Sequence, residues 1–111
     1  MGMKSRRKGK TGERELALVF IAEGFAARTG RQHRGGPDSP DVIVDDLPRL
    51  HVECKRTEKF SLYSALDQAA ADAGEDQMPV VCHRRNSHRW VAVLDFEDFA
   101  KLLREYAEEL Q

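Results

Sequence analysis

The chain has 111 residues, which predicts one domain around a single hydrophobic core. Its formal net charge is −1 although 33% of the residues are charged, so overall charge alone does not indicate a nucleic-acid partner. No apolar run is long enough to span a membrane, no signal peptide follows the basic start, and the two cysteines form no CxxC pair. These features exclude a membrane protein and a disulfide scaffold and predict a soluble cytoplasmic protein.

The charge is unevenly distributed along the chain. Basic residues collect near the start, and the last part is acidic through Glu105, Glu108 and Glu109. This asymmetry favours a protein that turns one face toward a polyanion, although a solvated basic arm is the alternative. We expect residues 1–10 to form a flexible basic arm and residues 11–111 to form the domain. The basic residues of the first third are Lys4, Arg6, Arg7, Lys8, Lys10, Arg28, Arg31 and Arg34.

The first predicted element is a helix over about residues 11–23. Thr11 is a suitable N-cap and Gly24 a suitable stop. A short strand over residues 25–28 and a polar loop over residues 30–40 follow. The loop contains two prolines and several glycines, which favour irregular structure.

The middle of the chain predicts a β-hairpin. Residues 42–44 are β-branched, residues 45–48 have turn composition, and apolar and polar residues alternate over 50–55. Ser61 then begins a second helix that reaches about Ala73. Strands near residues 79–82 and 90–94 and a last helix after Asp95 complete the order α-β-β-β-α-β-β-α. This order predicts an α/β fold with a mixed central β-sheet flanked by helices.

Three carboxylates and one lysine are candidates for a catalytic site. Helical spacing puts Glu13 on the apolar face of the first helix, where a charge needs a partner or a metal, whereas Glu15 points away as a solvated charge. Asp41 directly precedes one strand, and Glu53 and Lys55 share one face of the next. Converging carboxylates are the ligands that Mg²⁺ prefers. The alternatives are a helix-dipole role for Glu13 and a surface ion pair for the strand residues.

These residues resemble the PD-(D/E)XK nucleases and, within them, the archaeal-type and phage Holliday-junction resolvases. The matching segments are Lys8-Gly9, Glu13-Arg14-Glu15-Leu16, residues 24–28, Pro40-Asp41-Val42, Val52-Glu53-Cys54-Lys55, Pro79-Val80-Val81 and Trp90. The resemblance implies a restriction-endonuclease-like fold and a homodimer that cuts four-way DNA junctions with Mg²⁺ or Mn²⁺. It implies that Glu13, Asp41 and Glu53 bind the metal and that Lys55 completes the catalytic set.

Two site assignments remain open beside this resemblance. Asp38 also follows a proline and rivals Asp41, although Asp41 directly adjoins the strand. Gln68 on the second helix corresponds to a polar position that faces the site in relatives, and an ordinary surface glutamine is the alternative. Candidate DNA contacts are Lys8, Lys10, Arg14, Arg28, Arg31, Arg34 and Arg56.

Three functions are compatible with the sequence. The first is a junction-resolving endonuclease, and the second is an endonuclease of the same superfamily that acts on other DNA in restriction, repair or phage DNA processing. The third is a DNA-binding module that keeps the fold without catalysis, because fold does not determine function. Retention of all four candidate catalytic residues argues against the third. The last helix extends beyond the small archaeal pattern and is a candidate dimer element.

Overall fold

The structure, a computed structural model, describes residues 2–30 and 40–111, with side chains from Gly9 onward. The predicted order of elements is confirmed. The helices and strands are α1 (Gly2–Ala22), β1 (Ala27–Thr29), β2 (Val42–Val44), β3 (Leu50–Arg56), α2 (Leu62–Asp72), β4 (Met78–Arg84), β5 (Val91–Val93) and α3 (Phe96–Glu109).

The strands form one five-stranded mixed sheet in the order β1-β2-β3-β4-β5. Strands β3 and β4 are parallel, and the other neighbouring pairs are antiparallel. The parallel pair requires a crossover connection, which α2 supplies, whereas the predicted β2–β3 hairpin needs only a short turn. The architecture is the predicted α/β sheet flanked by helices and is consistent with a restriction-endonuclease-like fold.

Each face of the sheet packs against one helix. On one face, Leu16 and Ala17 of α1 pack with Val42, Val52 and Val80 in the main core. On the other face, the small side chains of α2 pack against Val81, in a cluster that contains Ala65 and Ala69. Successive residues of a strand point to opposite faces, which explains why the neighbours Val80 and Val81 belong to different clusters.

Helix α1 begins earlier than predicted and ends where predicted. It begins at Gly2, so Thr11 lies inside the helix and is not its N-cap. Residues 2–10 include strong helix formers and no proline, and the helix therefore continues toward the start of the chain. The predicted flexibility of residues 1–10 stays a prediction. At the other end, Gly24 has a φ of 101°.

The end of α1 is a Schellman motif. The Phe25 N–H donates to the Phe20 carbonyl at 3.1 Å, and the Gly24 N–H donates to the Ile21 carbonyl at 2.9 Å. The rings of Phe20 and Phe25 meet edge to face, with centroids 6.3 Å apart. This is the hydrophobic contact that accompanies the motif, and it directs the chain from α1 into β1.

Helix α3 follows Asp95 as predicted but buries none of its residues. Its apolar stripe faces solvent within the described part of the molecule. Among the described helices, none is long and apolar enough to cross a membrane.

Candidate active site

Asp41 lies at the start of the β2–β3 hairpin and is held mainly by backbone hydrogen bonds. Its amide N–H donates to the Val52 carbonyl, and its carbonyl accepts from the Gly30 N–H, both at 2.9 Å. Its side-chain Oδ2 accepts from the Cys54 N–H at 2.8 Å. Two of these bonds hold the backbone and the carboxyl of Asp41 against β3, and the third joins its carbonyl to Gly30, just after β1.

Glu53 lies beside Asp41 on the neighbouring strand. Val42 pairs with Val52, which places Asp41 across from Glu53 on the same face. The pKa of Asp41 is raised to about 7, mainly by burial; the Cys54 amide bond acts in the opposite direction, and the nearby negative charges of Glu53 and Glu13 contribute to the rise. Two carboxyls this close compete for one proton unless a cation joins them.

Glu13 approaches the pair from α1, on the opposite side of the sheet. Its negative charge acts on Asp41 and on the Cys54 thiol, whose pKa is raised mainly by burial and also by the Asp41 carboxylate. Gly12 permits this approach, since a Cβ at residue 12 would lie 2.5 Å from Arg56 Cβ. The three predicted carboxylates therefore come from α1, from the residue that precedes β2, and from β3.

His51 is a buried neighbour of Glu53. Its side chain is fully buried, and its Nε2 lies 2.6 Å from Glu53 Oε2. An ionised carboxylate only accepts, so Nε2 carries the proton and donates. Burial lowers the pKa of His51, but the hydrogen bond to Glu53 and its negative charge outweigh burial and raise it above the usual value. The alternation over residues 50–55 puts His51 on the same face as Glu53 and Lys55, but it does not indicate complete burial.

Lys55 is two residues beyond Glu53 on the same face of β3, as predicted. In the parallel register it lies beside His83 of β4. The His83 ring stacks on Phe60 at 4.1 Å between centroids, and its Nε2 lies 3.0 Å from the Thr57 carbonyl oxygen. These contacts anchor the segment between β3 and α2 next to Lys55.

The donor set fits a hard divalent cation. Asp41 and Glu53 offer carboxylate oxygens, the ligand type that Mg²⁺ and Mn²⁺ prefer, and Glu13 is close enough to influence the pKa of Asp41. Within residues 2–30 and 40–111, no three histidine, cysteine, aspartate or glutamate side chains already form a metal-binding cluster. The adjacent pair is thus what the structure brings together, and the three-carboxylate ligand set stays a prediction. Asp38 lies outside the described residues.

A polar cleft lies between α1 and β1, next to the site. It is lined by Lys10, Glu13, Arg14 and Thr29. Lys10 and Arg14 are exposed and are two of the predicted DNA contacts. The two basic side chains of this cleft could bind a phosphate group, and the Glu13 carboxylate could bind a metal ion next to it.

The other predicted DNA contacts have different surroundings. Arg28 is exposed on β1 and pairs with Asp45 at 3.3 Å. The Arg56 side chain is only 14% exposed and donates to Asn86 Oδ1 at 2.8 Å. Arg56 is thus engaged within the protein, and its contact with DNA stays a prediction. The Lys8 side chain, Arg31 and Arg34 lie outside the described residues. Gln68 is exposed on α2, and its predicted role is untested.

Glu15 corrects a prediction. It is not an ordinary solvated charge, because its Oε1 accepts from Trp90 Nε1 at 2.8 Å and from Arg84 at 2.5 Å. Arg56 Nε lies 3.9 Å from the same oxygen. Glu15 thus joins α1 to β4 and to the start of β5. Local sequence carried no signal for this role, since the partners are 69 and 75 residues away.

Comparison with known proteins agrees with the geometry. No curated protein and no solved structure matches the chain. The family model of the archaeal Holliday junction resolvases (Hjc) matches residues 4–71, which include α1, the hairpin and most of α2. This segment contains all four predicted catalytic residues and ends before β4 and Trp90. Since the match covers more than half of the chain, the protein belongs to the archaeal Holliday junction resolvase family, within the PD-(D/E)XK nuclease superfamily.

Proposed function

We propose that this protein is a metal-dependent endonuclease that resolves four-way DNA junctions in the cytoplasm by paired phosphodiester cleavage. The observation that carries the proposal is the adjacency of the Asp41 and Glu53 carboxyls on neighbouring strands, with Lys55 on the same face as Glu53. Membership in a resolvase family supplies the substrate class.

Asp41 and Glu53 would hold Mg²⁺ or Mn²⁺, and Glu13 would contribute from α1. When bound, the cation supplies a Lewis acid for a phosphate oxygen and lowers the pKa of a water. The Cys54 N–H fixes the Asp41 carboxyl, and His51 fixes the Glu53 carboxyl. Both donors act from within the folded chain, so the two oxygen ligands are oriented before substrate arrives.

Lys55 would act on the phosphate and the attacking water. Its positive charge would orient the water and balance the charge that develops on the phosphate. Its placement beside His83, which is held by Phe60 and Thr57, limits where the strand and the following segment can move.

Lys10 and Arg14 would bind the DNA backbone at the cleft beside Glu13. Such phosphate contacts supply affinity and position but little sequence information. A homodimer would place two such sites around one junction, and a two-fold protein suits a substrate of near two-fold symmetry.

A second candidate function is cleavage of other DNA by the same site. The carboxylate pair would serve either substrate, so the distinction depends on the DNA that is cut. A cleavage assay distinguishes these two functions. It compares a mobile four-way junction with a matched linear duplex, each incubated with Mg²⁺ or with chelator. We expect symmetric nicks in the junction only, and equal cutting of the duplex would favour the second function.

The site itself is tested by Asp41→Ala and Glu53→Ala, with Asp67→Ala, an exposed aspartate on α2, as the matched control. Both site variants should lose cleavage and keep junction binding in a gel-shift assay, because the basic residues supply most of the affinity. Asp67→Ala should keep both. Cleavage by both site variants would overturn the proposed site.

A further inference from the structure

The turn between β4 and β5 is basic and exposed. Residues 85–89 are all exposed, and they include two arginines and a histidine but no acidic residue. Within residues 9–30 and 40–111, no carboxylate pairs with the side chain of Arg85 or Arg89, whereas Arg84 pairs with Glu15. A guanidinium group binds a phosphate through two parallel hydrogen bonds, so both arginines of the turn are suited to a phosphate from outside the chain.

The backbone of this turn is held in one conformation. The His88 N–H donates to the Arg85 carbonyl at 3.2 Å, which closes a four-residue β-turn. Ser87 has a φ of 64°, a left-handed conformation that a residue other than glycine keeps only where its surroundings hold it. Arg84 Nε, at the end of β4, donates to the His88 carbonyl at 2.6 Å. The turn is thus closed by its own backbone and by the last residue of the preceding strand.

Two further hydrogen bonds attach the turn to the segment at the end of β3. The Asn86 N–H donates to Glu58 Oε2 at 2.7 Å, and Arg56 Nη2 donates to Asn86 Oδ1 at 2.8 Å. Arg56 Nη1 also lies 3.7 Å from Glu58 Oε2, and this ion pair offsets the negative charge of the Glu58 carboxylate. A binding surface whose backbone is ordered in advance loses less conformational entropy when its ligand arrives.

The turn lies next to the end of β3 that carries Lys55. The parallel register pairs Arg56 with Arg84, which are the last residues of their strands. Lys55 is therefore one residue from the end of β3 that the turn adjoins. Neighbouring strands of a sheet are about 5 Å apart, so the turn begins close to the candidate catalytic lysine.

Helix α1 brings Glu13 and a cation of the polar cleft to the same end of the sheet. Trp90 and Arg84, the residues that flank the turn, both donate to Glu15 Oε1. Glu13 precedes Glu15 by two residues, about 3 Å along the helix axis, and Arg14 lies between them. The basic turn is therefore a neighbour of α1 at the level of the candidate metal ligand.

We propose that this turn is a second phosphate-binding surface, separate from the cleft, in which Arg85 and Arg89 bind the backbone of the DNA that enters the candidate site. The inference rests on the proposed function, which brings DNA to Asp41 and Glu53. Duplex DNA carries about one negative charge per 1.7 Å of its axis, so a DNA with one phosphate at the site presents others to nearby cations. The surface is specific to this chain's own sequence, since the family match ends at residue 71, before β4 begins.

The test measures binding of a fluorescently labelled four-way junction by anisotropy, in chelator and at several salt concentrations. For Arg85→Ala and for Arg89→Ala, Kd should rise about five- to tenfold near 0.1 M salt, and the slope of log Kd against log salt should fall by about one. The double variant should lose about two from the slope. Arg85→Lys/Arg89→Lys should keep most of the slope, because lysine retains the charge.

Arg49→Ala is the matched control. It also removes one exposed arginine, but Arg49 precedes β3 and lies more than about 20 Å along the strand from the end that the turn adjoins. This variant should bind the junction with the Kd and slope of the wild type. Unchanged binding by the alanine double variant, or an equal loss in Arg49→Ala, would overturn the proposal.

Cleavage with Mg²⁺ is measured separately from binding. A wild-type protein that binds the junction in chelator but does not cut it would overturn the proposed function, while the salt slopes of the turn variants still decide whether the turn binds DNA. A wild-type protein that does not bind the junction would overturn both.

Discussion

In the metal-free protein, the Asp41 carboxyl is largely buried and close to two other acidic side chains, Glu53 and Glu13. Its pKa is raised from 3.8 to about 7, mainly by burial. In the unfolded chain the same group loses its proton near pH 4. Between these two values the folded protein holds a proton that the unfolded chain has released, and this difference links stability to pH.

We therefore predict that the metal-free protein loses stability as the pH rises from about 4 to about 7. The contribution of Asp41 is fully present below its unfolded pKa and is lost as the pH passes its folded pKa. Urea unfolding in chelator at several pH values measures the trend, and Asp41→Asn should remove this part of the slope. Identical slopes for wild type and variant would contradict the prediction.

His51 is predicted to position Glu53. His51→Phe keeps a buried ring but removes the donor 2.6 Å from Glu53 Oε2. Loss of such a supporting hydrogen bond weakens metal binding by about tenfold or more. We expect the Mg²⁺ concentration for half-maximal cleavage to rise by that factor, with partial rescue by His51→Gln, whose amide can donate. A variant with unchanged Mg²⁺ dependence would exclude this role, even if its stability fell.

Among the elements, α1 depends on a close approach to β3 at one position. A Cβ at residue 12 would lie 2.5 Å from Arg56 Cβ and 3.6 Å from Cys54 Sγ, whereas a Cβ at residue 9 would meet nothing within 4 Å. Both glycines are inside the helix, where alanine is the better helix former by about 1 kcal/mol. The two positions thus form a matched pair that separates packing from helix propensity.

We predict that Gly12→Ala destabilises the protein by about 1–3 kcal/mol, the usual cost of overpacking. Gly9→Ala should instead be neutral or stabilise it by up to about 1 kcal/mol. Urea unfolding of both variants checks the difference. Gly12→Ala should also reduce cleavage, because displacing α1 moves Glu13 away from Asp41, and equal stabilisation by both substitutions would show that the contact is unimportant.

The elements with strong local patterns could be predicted from the sequence. Residues 42–44 and 50–56 form the predicted hairpin because alternation and a short turn determine it locally. Ser61 and Asp95 are N-cap residues, as predicted, although neither side chain makes a capping hydrogen bond. The predicted start of α1 was wrong. Thr11 is a residue type that favours the N-cap position, but the basic residues before it are good helix formers and continue the helix.

At the scale of the whole molecule, strand alternation and turn composition could predict the relative placement only of those site residues that are close in sequence. Asp41, Glu53 and Lys55 follow from one hairpin, and their relative placement could be derived from strand alternation. His51 lies on a strand that contacts α2, close enough to Asp72 for that charge to act on it, and the contacts of Glu15 depend on β4 and Trp90. Such long-range packing leaves no periodic signal in the chain, so it was not predicted.

Glu15 joins α1 to Arg84 of β4 and to Trp90, and we predict that these contacts stabilise the fold. Glu15→Ala would leave Trp90 Nε1 and Arg84 Nη1 without the acceptor that they share. We expect a loss of about 1–3 kcal/mol, the cost of unsatisfied polar groups that are partly buried. Thermal unfolding measures it, with Glu23→Ala, an exposed acid just after α1, as the control. An equal effect of the two substitutions would mean that the contacts of Glu15 with Arg84 and Trp90 do not stabilise the fold.

The pairing of Val42 with Val52 has a consequence for how this protein can change over time. Successive residues of β3 point alternately to the main core and to the face that carries the candidate site. A register shift of one residue would therefore turn Glu53 toward the core and Val52 toward the site. Loss of the site by slippage would therefore also destroy the hydrophobic interior. Insertion or deletion of one residue between β2 and β3 would therefore be selected against even in a copy that no longer needed to cut DNA.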